Sequence, residues 1–422
     1  MSAVVSFSSD AVAKSILNDL PKKTGTNIPA VTVDNFLQII MKDPYFTDKG
    51  LRYNILTGEL VKTKGTLPEV WDEIDRAEAM RHIENEYGLY HEKKYDCAVA
   101  AFCKGAAYNP IAEKVLSLKW DGVQRIETGI LQRWLNVPDS PYVRECARLL
   151  FAGLVHRAIA PGSKFDYMVV FIGKQGCGKS TFCRWLAMSD DLYVSLKTID
   201  AKKAAEIIAG KLIVEIEELA AILPINTRAE TKTEAEIKAF LSTDKERFRA
   251  AYARQATDHP RSNIFVATTN EHNFLTDWTG NRRWFPVQVE SDPEFLYQHK
   301  SEIQHDIEQA VAEMAVAYNA DSPFANAFPA HDLLEEIENR QKKAMVEDPR
   351  VGVIDDFIHS GQRSKTCVPE VWRELCRADL EKGDLTTIKS REIGRILRGL
   401  GCTAENVSSF PGYGRQKTYK IP

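Results

Sequence analysis

The residues best suited to chemistry lie in a glycine-rich loop that follows a short apolar run, Met168–Ile172. The loop matches the pattern G-x-x-x-x-G-K-S/T, in which backbone amides surround phosphate oxygens and glycines avoid side chains that would obstruct them. In this pattern Lys179 directs its charge to the outer phosphates, and the Ser180 hydroxyl binds magnesium. The predicted nucleotide-binding residues are Gly173, Lys174, Gln175, Gly176, Cys177, Gly178, Lys179, Ser180 and Thr181.

A second apolar run, Leu212–Leu219, carries three acids, Glu215, Glu217 and Glu218. A magnesium-nucleotide site needs one carboxylate for the coordination shell of the metal and another that polarises the attacking water. Glu215 and Glu217 share one face of a strand, and Glu218 follows its end. Because an unpartnered acid inside a buried strand is costly, we expect at least one of them to face the metal. A solvated edge strand is the alternative.

Two more polar groups adjoin apolar runs further along the chain. The run Asn263–Thr269 ends at Asn270, whose amide is placed to orient the attacking water. Arg282 and Arg283 precede the run Trp284–Val287, where a guanidinium could act on the γ-phosphate of a neighbouring subunit as an arginine finger. A simple ion pair within the domain is the alternative for the two arginines.

A basic segment between the second and third runs alternates cations with aromatic rings. Its members are Arg247, Phe248, Arg249, Tyr252 and Arg254. Cations bind phosphates and rings stack on bases, so the pattern is typical of a contact with a nucleic-acid strand. A charged surface hairpin explains it as well.

The elements that must position these groups are strands alternating with helices, which predicts an α/β domain. A helix over Ser180–Ala187 would direct its positive N-terminal end at the phosphates. We divide the chain into four regions. Residues 1–110 form an accessory region of helices and a hairpin, which begins with a loosely held arm over residues 1–30, and residues 111–162 are all helical. Residues 163–330 form the nucleotide domain, and residues 331–422 form a connector with a terminal domain.

The last segment has its own character. Three predicted helices followed by a β-ribbon give the order of a winged helix-turn-helix. Residues 361–422 contain 12 Lys/Arg and 7 Asp/Glu, an excess of 5 positive charges on a chain whose net charge is −4. This asymmetry favours a nucleic-acid surface, with a protein-docking wing as the alternative.

Composition excludes several classes of protein. With 44% hydrophobic and 27% charged residues, the 422-residue chain is typical of soluble globular proteins of two or three domains. Eight cysteines without a C-x-x-C pair indicate neither a zinc site nor a disulfide framework. The sequence contains no signal peptide and no apolar run of about 18 residues, so we expect a cytoplasmic protein without membrane contact.

Together these stretches resemble one family, the virulence-associated protein E type of phages and mobile genetic islands, related to superfamily 3 and poxvirus-type primase-helicases. The resemblance covers about residues 110–320 and rests on the glycine-rich loop, Ser117–Arg125 with its Trp-Asp-Gly, Ile213–Leu219, Ile237–Phe240, Arg247–Arg254, Thr268–Asn270 and Gly280–Val287 with its Gly-Asn-Arg-Arg. It does not extend to the first hundred residues, where no primase motif is visible.

The resemblance implies a P-loop NTPase core of the AAA+-like, superfamily 3 type, between a helical N-terminal region and a C-terminal winged-helix domain. It implies ATP and Mg²⁺ at the interfaces of a homo-hexameric ring, with single-stranded DNA in the pore. Lys179, Glu215, Glu217, Glu218, Asn270, Arg282 and Arg283 would then be catalytic, with Ser180 and Glu215 at the metal. Lys238 and the segment Arg247–Arg254 match the region of the DNA-contacting hairpin.

The function predicted on this basis is that of an ATP-dependent replicative DNA helicase. Its partners would be single-stranded DNA, origin duplex, and a primase or host replication proteins. An ATP-regulated switch or origin-binding initiator that does not unwind DNA processively is the alternative.

Overall fold

The structure, a computed structural model, describes residues 9–65, 68–199, 201–219, 237–248, 256–275, 281–346, 348–360 and 363–422. The chain forms two compact units. One comprises residues 1–114 and 245–261, and the other comprises residues 115–244 and 262–422.

The first unit combines helices with a four-stranded sheet. Its helices are α1 (Ser9–Asp19), α2 (Val33–Lys42), α3 (Pro44–Thr47), α4 (Glu73–Tyr87) and α5 (Glu92–Gly105), and α6 (Pro110–Ser117) crosses its boundary. Its strands are β1 (Leu51–Asn54), β2 (Glu59–Lys62), β3 (Glu69–Val70) and β4 (Ala107–Tyr108), in the order β3-β2-β1-β4. The predicted hairpin is therefore present as β1 and β2, which pair antiparallel.

Two sequence-based expectations for this unit are wrong. Residues 9–30 do not form a loosely held arm, because α1 buries Ala13 and Ile16 in the same hydrophobic cluster as Phe36. The sequence pattern predicts helices over Glu69–Tyr87 and Asp96–Tyr108, but the start of the first and the end of the second form β3 and β4. The second helix also begins four residues earlier than predicted, at Glu92. Helical periodicity alone did not show where these short strands pair.

The second unit begins with helices, as expected for residues 111–162, but residues 118–129 between the first two are not helical. After α6 come α7 (Ile130–Leu135) and α8 (Pro141–Ile159), and most residues of α8 are buried. Ser140 is the N-cap of α8, and its side chain accepts a hydrogen bond from the amide of Val143. A helix that is apolar around most of its circumference is expected to pack inside a hydrophobic core.

Five parallel strands form the centre of the second unit. They are β5 (Met168–Ile172), β6 (Tyr193–Leu196), β7 (Ile213–Ile216), β10 (Ile264–Thr269) and β11 (Trp284–Gln288), in the order β11-β5-β10-β7-β6. Every neighbouring pair is parallel. Around them lie α9 (Lys179–Leu186), α10 (Ala201–Ile208), a helical stretch at 237–242, α11 (Pro293–Gln298), α12 (Lys300–Asn319) and α13 (Leu334–Lys343). The mixed α/β class with a parallel sheet is thus confirmed.

The strand order identifies where a ligand belongs. From β5 the chain runs to β6 at the far edge and returns through β7 and β10, whereas β11 lies on the other side of β5. Open parallel sheets bind ligands at the carboxyl ends of the strands where the order reverses in this way. The glycine-rich loop follows the carboxyl end of β5, directly at this point.

The C-terminal segment forms a separate hydrophobic cluster within this unit. It contains α14 (Pro349–His359), β12 (Lys365–Cys367), α15 (Val368–Arg377), α16 (Thr387–Gly399), β13 (Thr403–Phe410) and β14 (Gly414–Lys420). The strands form an antiparallel sheet in the order β12-β14-β13. The three helices and the ribbon match the sequence prediction, and β12 is an addition to it.

The part of the chain described here contains no helix that is both long and apolar enough to cross a bilayer.

Candidate functional site

The ammonium group of Lys179 forms hydrogen bonds within the glycine-rich loop and to Asn270. This buried side chain donates to the carbonyl oxygens of Gly173 at 2.7 Å and Lys174 at 2.8 Å, and to Oδ1 of Asn270 at 3.1 Å. All three protons of the ammonium group therefore have acceptors. The structure thus brings the predicted loop lysine and the predicted Asn together.

Two glycines of the loop are required by the packing around it. A Cβ on Gly173 would lie 2.4 Å from the carbonyl oxygen of Val289, which follows β11. Gly178 has a φ of +86°, and a Cβ there would lie 2.2 Å from Cδ1 of Leu296. The sequence explained these glycines by room for phosphate, but the structure shows that the fold itself needs them.

Glu215 lies at the centre of a network of hydroxyl groups. It is fully buried in β7, and its carboxylate accepts from Ser180 Oγ at 2.6 Å, from Thr268 Oγ1 at 2.8 Å and from the hydroxyl of Tyr193. Burial and this last hydrogen bond raise the pKa of the Tyr193 phenol well above its usual range, so the phenol remains a donor. Ser180 and Glu215, the two predicted metal ligands, are therefore in direct contact.

The three acids of the second run occupy different environments. Glu215 lies inside the strand and Glu218 lies beyond its end, as predicted. Glu217 was expected on the strand beside Glu215, but the strand ends at Ile216, one residue before it. Glu217 is half-buried and its carboxylate lies 3.9 Å from Lys197 Nζ. Glu218 is exposed and has a φ of +49°, a conformation that is uncommon for residues other than glycine. The solvated edge-strand alternative does not describe Glu215, because β7 lies between β10 and β6.

A cleft of about 650 Å³ opens beside Ser180, Thr181 and Glu217. Its walls include Trp185 and Tyr297, whose rings meet edge to face with centroids 5.9 Å apart. Its volume falls within the range of small-molecule sites, about 300–1,000 Å³. The hydroxyl and carboxylate oxygens at its inner end are the ligand types that magnesium prefers.

Arg282 and Arg283 lie at the amino ends of the parallel strands, whereas the glycine-rich loop lies at their carboxyl ends. They end a 3₁₀ turn, Asn281–Arg283, just before β11, whose first residue is paired with Met168 and whose last is paired with Ile172. The loop follows Ile172, so the length of the strand, about 16 Å, separates the arginine turn from it.

The environments of the two arginines also differ. Arg283 donates to Ser242 Oγ at 3.0 Å, and its Nε lies 3.4 Å from the buried carboxylate of Asp166. The ion-pair alternative therefore describes Arg283. Arg282 is exposed, and no ion pair joins it to any residue that the structure describes.

The predicted DNA-binding residues are placed only in part. Lys238 is half-buried in the helical stretch at 237–242, in the second unit. Arg247 lies in the first unit on β8 (Lys245–Phe248), which pairs antiparallel with β9 (Thr257–Pro260). Its exposed guanidinium lies 3.5 Å from Asp258. The remaining three, Arg249, Tyr252 and Arg254, lie outside the described residues.

The Trp-Asp-Gly segment, which is part of the resemblance, contacts helix α12. Arg125 donates to Asp121 at 2.7 Å and, from Nε, to Asp306 of α12 at 2.8 Å, and its amide donates to Glu313 at 2.8 Å. The guanidinium lowers the pKa of the Asp121 carboxyl to about 2. This segment is therefore a structural clamp on α12.

Sequence reasoning missed the side chains that complete these contacts. Thr268 was visible as a polar residue inside an apolar strand, but nothing in the pattern assigned it to Glu215. Tyr193 and Asp166 gave no signal, because their roles depend on strands that are distant in sequence.

Comparisons with known proteins agree with the resemblance. Comparison with curated protein sequences gives no match. The apo structure of the NrS-1 C-terminal region (305–718) aligns with a TM-score of 0.50 at 12% identity, covering 90% of this chain and 100% of that one. A second apo structure of that region, described as the A form, aligns with a TM-score of 0.46 at 10% identity, covering 88% and 96%. At such identities the likeness concerns the fold alone.

The profile of the virulence-associated protein E-like domain matches residues 115–346, more than half of the chain. The matched region contains the parallel sheet, the loop with Lys179, the buried Glu215 and the arginine turn. The chain belongs to the virulence-associated protein E-like family.

Proposed function

We propose that this protein is an ATPase of the P-loop type that drives DNA strand separation during replication of a phage or mobile element. The observation that carries the proposal is the network at the carboxyl edge, in which Lys179 contacts Asn270 and Ser180 contacts Glu215. These contacts join a phosphate-binding loop to a buried acid and a polar amide at the reversal point of a parallel sheet.

Each side chain has a distinct task in this proposal. ATP would enter the cleft beside Ser180, and Lys179 would exchange one of its three acceptors for a phosphate oxygen. Ser180 and Glu215 would hold magnesium, which supplies neutralisation of the charge that develops on the phosphoryl oxygens. Glu217, which lines the same cleft as Ser180, is the acid best placed to polarise water. Asn270 would fix the position of Lys179 and of that water.

The distance between the arginine turn and the glycine-rich loop supports a nucleotide site that two subunits share. A guanidinium about 16 Å along the strand from its own loop is poorly placed for its own nucleotide. Arg282, exposed at the amino edge, would therefore act on the ATP of a second copy, with Arg283 as its structural support. A ring of such copies, six in the family resemblance, makes every site complete, and single-stranded DNA in its pore would contact Lys238 and the segment Arg247–Arg254.

Steady-state ATPase and strand-displacement assays on a forked DNA test the proposal. We expect ATP hydrolysis that single-stranded DNA stimulates, ATP-dependent unwinding, and loss of both in Lys179→Ala. Lys93→Ala, which removes an exposed lysine from the other unit, is the matched control and should behave as wild type. Stimulated hydrolysis without unwinding would instead indicate a nucleotide-dependent switch, and absence of hydrolysis would refute both functions.

A further inference from the structure

A row of arginines lies on the outer face of α16. Arg391, Arg395 and Arg398 are spaced by four and three residues, which places them on one side of a helix. The opposite side carries Ile393 and Leu397, which are fully buried in the C-terminal core. Since α16 is anchored by its apolar side, its arginine side faces solvent.

The ribbon next to α16 adds two more cations. Arg415 and Lys417 are exposed on β14 and alternate with residues of the other face, so they share a face with Tyr419. Tyr419 is buried against α16, because a Cβ on Gly394 would lie 2.5 Å from its hydroxyl and 3.7 Å from Nη1 of Arg398. The ribbon cations therefore project from the sheet face that carries α16.

Three acids near this surface form ion pairs with other cations. Glu381 and Glu392 bind Arg350 at 3.0 and 2.8 Å, and Glu405 binds Lys365 at 2.7 Å. Within the described part of the chain, no ion pair involves any of the five cations on α16 and β14. Their charge is consequently available to an external partner.

We propose that α16 and the β13–β14 ribbon form a binding surface for duplex DNA. The major groove admits an α-helix, and arginine binds both guanine edges and phosphates through two parallel hydrogen bonds. The ribbon cations would contact the backbone beside the helix, which fixes orientation. This inference does not depend on ATP hydrolysis by the parallel-sheet domain.

The composition of the surface favours duplex over two other partners. A single strand is held chiefly by aromatic rings between the cations, and the exposed side of α16 carries none. The two rings of the ribbon, Phe410 and Tyr413, lie at its turn and contact each other, with centroids 6.1 Å apart. A protein partner requires an apolar centre, and the large exposed apolar side chain of the ribbon is Val407 alone among the described residues. Five cations without an apolar core match a polyanion of regular shape.

The test measures binding of the full chain to a labelled blunt-ended DNA duplex, without nucleotide, over a salt series. The triple variant Arg391→Gln/Arg395→Gln/Arg398→Gln should weaken binding by about 10²-fold or more. The slope of log K against log salt should fall by about one for each phosphate contact removed. Arg415→Gln/Lys417→Gln should lower the slope by about two.

Matched controls distinguish the effect of this surface on duplex binding from the effects of total charge and of the nucleotide loop. Lys93→Gln/Lys104→Gln removes two exposed lysines of the first unit and should leave duplex binding unchanged. Lys179→Ala should also bind duplex as wild type, so a failed ATPase assay leaves this inference standing. Thermal unfolding of each variant confirms that it is folded.

Three results would overturn the inference. They are absence of duplex binding by the wild-type protein, unchanged affinity and salt slope in the folded triple variant, and an equal loss in the first-unit control. A triple variant that keeps duplex affinity but loses single-strand stimulation of its ATPase would assign the surface to single strands instead.

Discussion

At the carboxyl ends of the parallel strands Lys179 and Glu215 are bound by groups of the same chain, whereas at the amino ends Arg282 forms no ion pair with any residue that the structure describes. Lys179 is bound by loop carbonyls and Asn270, and Glu215 receives three hydroxyl groups. At the other edge Arg283 is held by Asp166 and Ser242. Its neighbour Arg282 is exposed. The first set of groups is bound within one molecule, whereas the exposed Arg282 carries the charge that our proposal assigns to the nucleotide of a second subunit.

The largest expected effect is that of Arg282→Ala, which should lower the ATPase rate by about 10³-fold, the contribution typical of an arginine finger. Stability should not change, because the side chain is exposed. Mixing Arg282→Ala with Lys179→Ala should restore part of the ATPase activity, since an intact loop of one subunit can then meet an intact Arg282 of another. A mixture as inactive as its components would show that the edges do not cooperate between subunits.

Asn270→Ala should lower kcat by about 10²-fold, a loss typical of removing one preorganised polar group. Its Oδ1 is the acceptor of Lys179 that lies outside the loop. Asn273→Ala, at an exposed position three residues later, is the control. An unchanged kcat in Asn270→Ala would mean that the loop alone positions Lys179.

Arg283→Ala should lower the free energy of unfolding by about 1–3 kcal/mol, because it removes the guanidinium from the buried Asp166 and leaves Lys164 Nζ, at 3.6 Å, as its remaining charged neighbour. Arg282→Ala is the matched control and should unfold like wild type in urea. A double-mutant cycle with Asp166→Asn should show coupling between the two positions. Equal stability of the Arg282 and Arg283 variants would remove the distinction between them.

The smallest effect should come from Thr268→Val, which keeps the shape of the side chain and removes one of the three hydroxyl donors of Glu215. We expect a loss of about 1–2 kcal/mol in the free energy of unfolding. Tyr193→Phe removes another donor and should change stability in the same direction. If neither variant is destabilised in urea, the network does not hold the buried carboxylate.

The sequence was informative where function depends on neighbouring residues. The strand Met168–Ile172, the loop and the positions of β7, β10 and β11 along the chain followed from local pattern, and the structure has them there, whereas β6 was not predicted. The position of the arginine turn opposite the loop did not, because it depends on the register of β11 against β5. The partners of Glu215 and Arg283 were missed for the same reason.

Local pattern also failed for short elements. β3 and β4 have two residues each and exist because β2 and β1 offer them hydrogen bonds. No periodicity can be read from two residues, so the flanking helices were extended over them. The domain boundaries, the nucleotide and metal, and the roles of the site residues stay predictions.

The clamp formed by Arg125 on α12 has a consequence for other sequences. Its contacts assemble helices and touch neither Lys179 nor Glu215. A chain could keep Trp-Asp-Gly and lose the loop lysine with these helices still correctly joined. The contacts of Arg125 therefore concern the assembly of the fold, whereas the loop with Lys179 and the buried Glu215 concern the proposed hydrolysis of ATP.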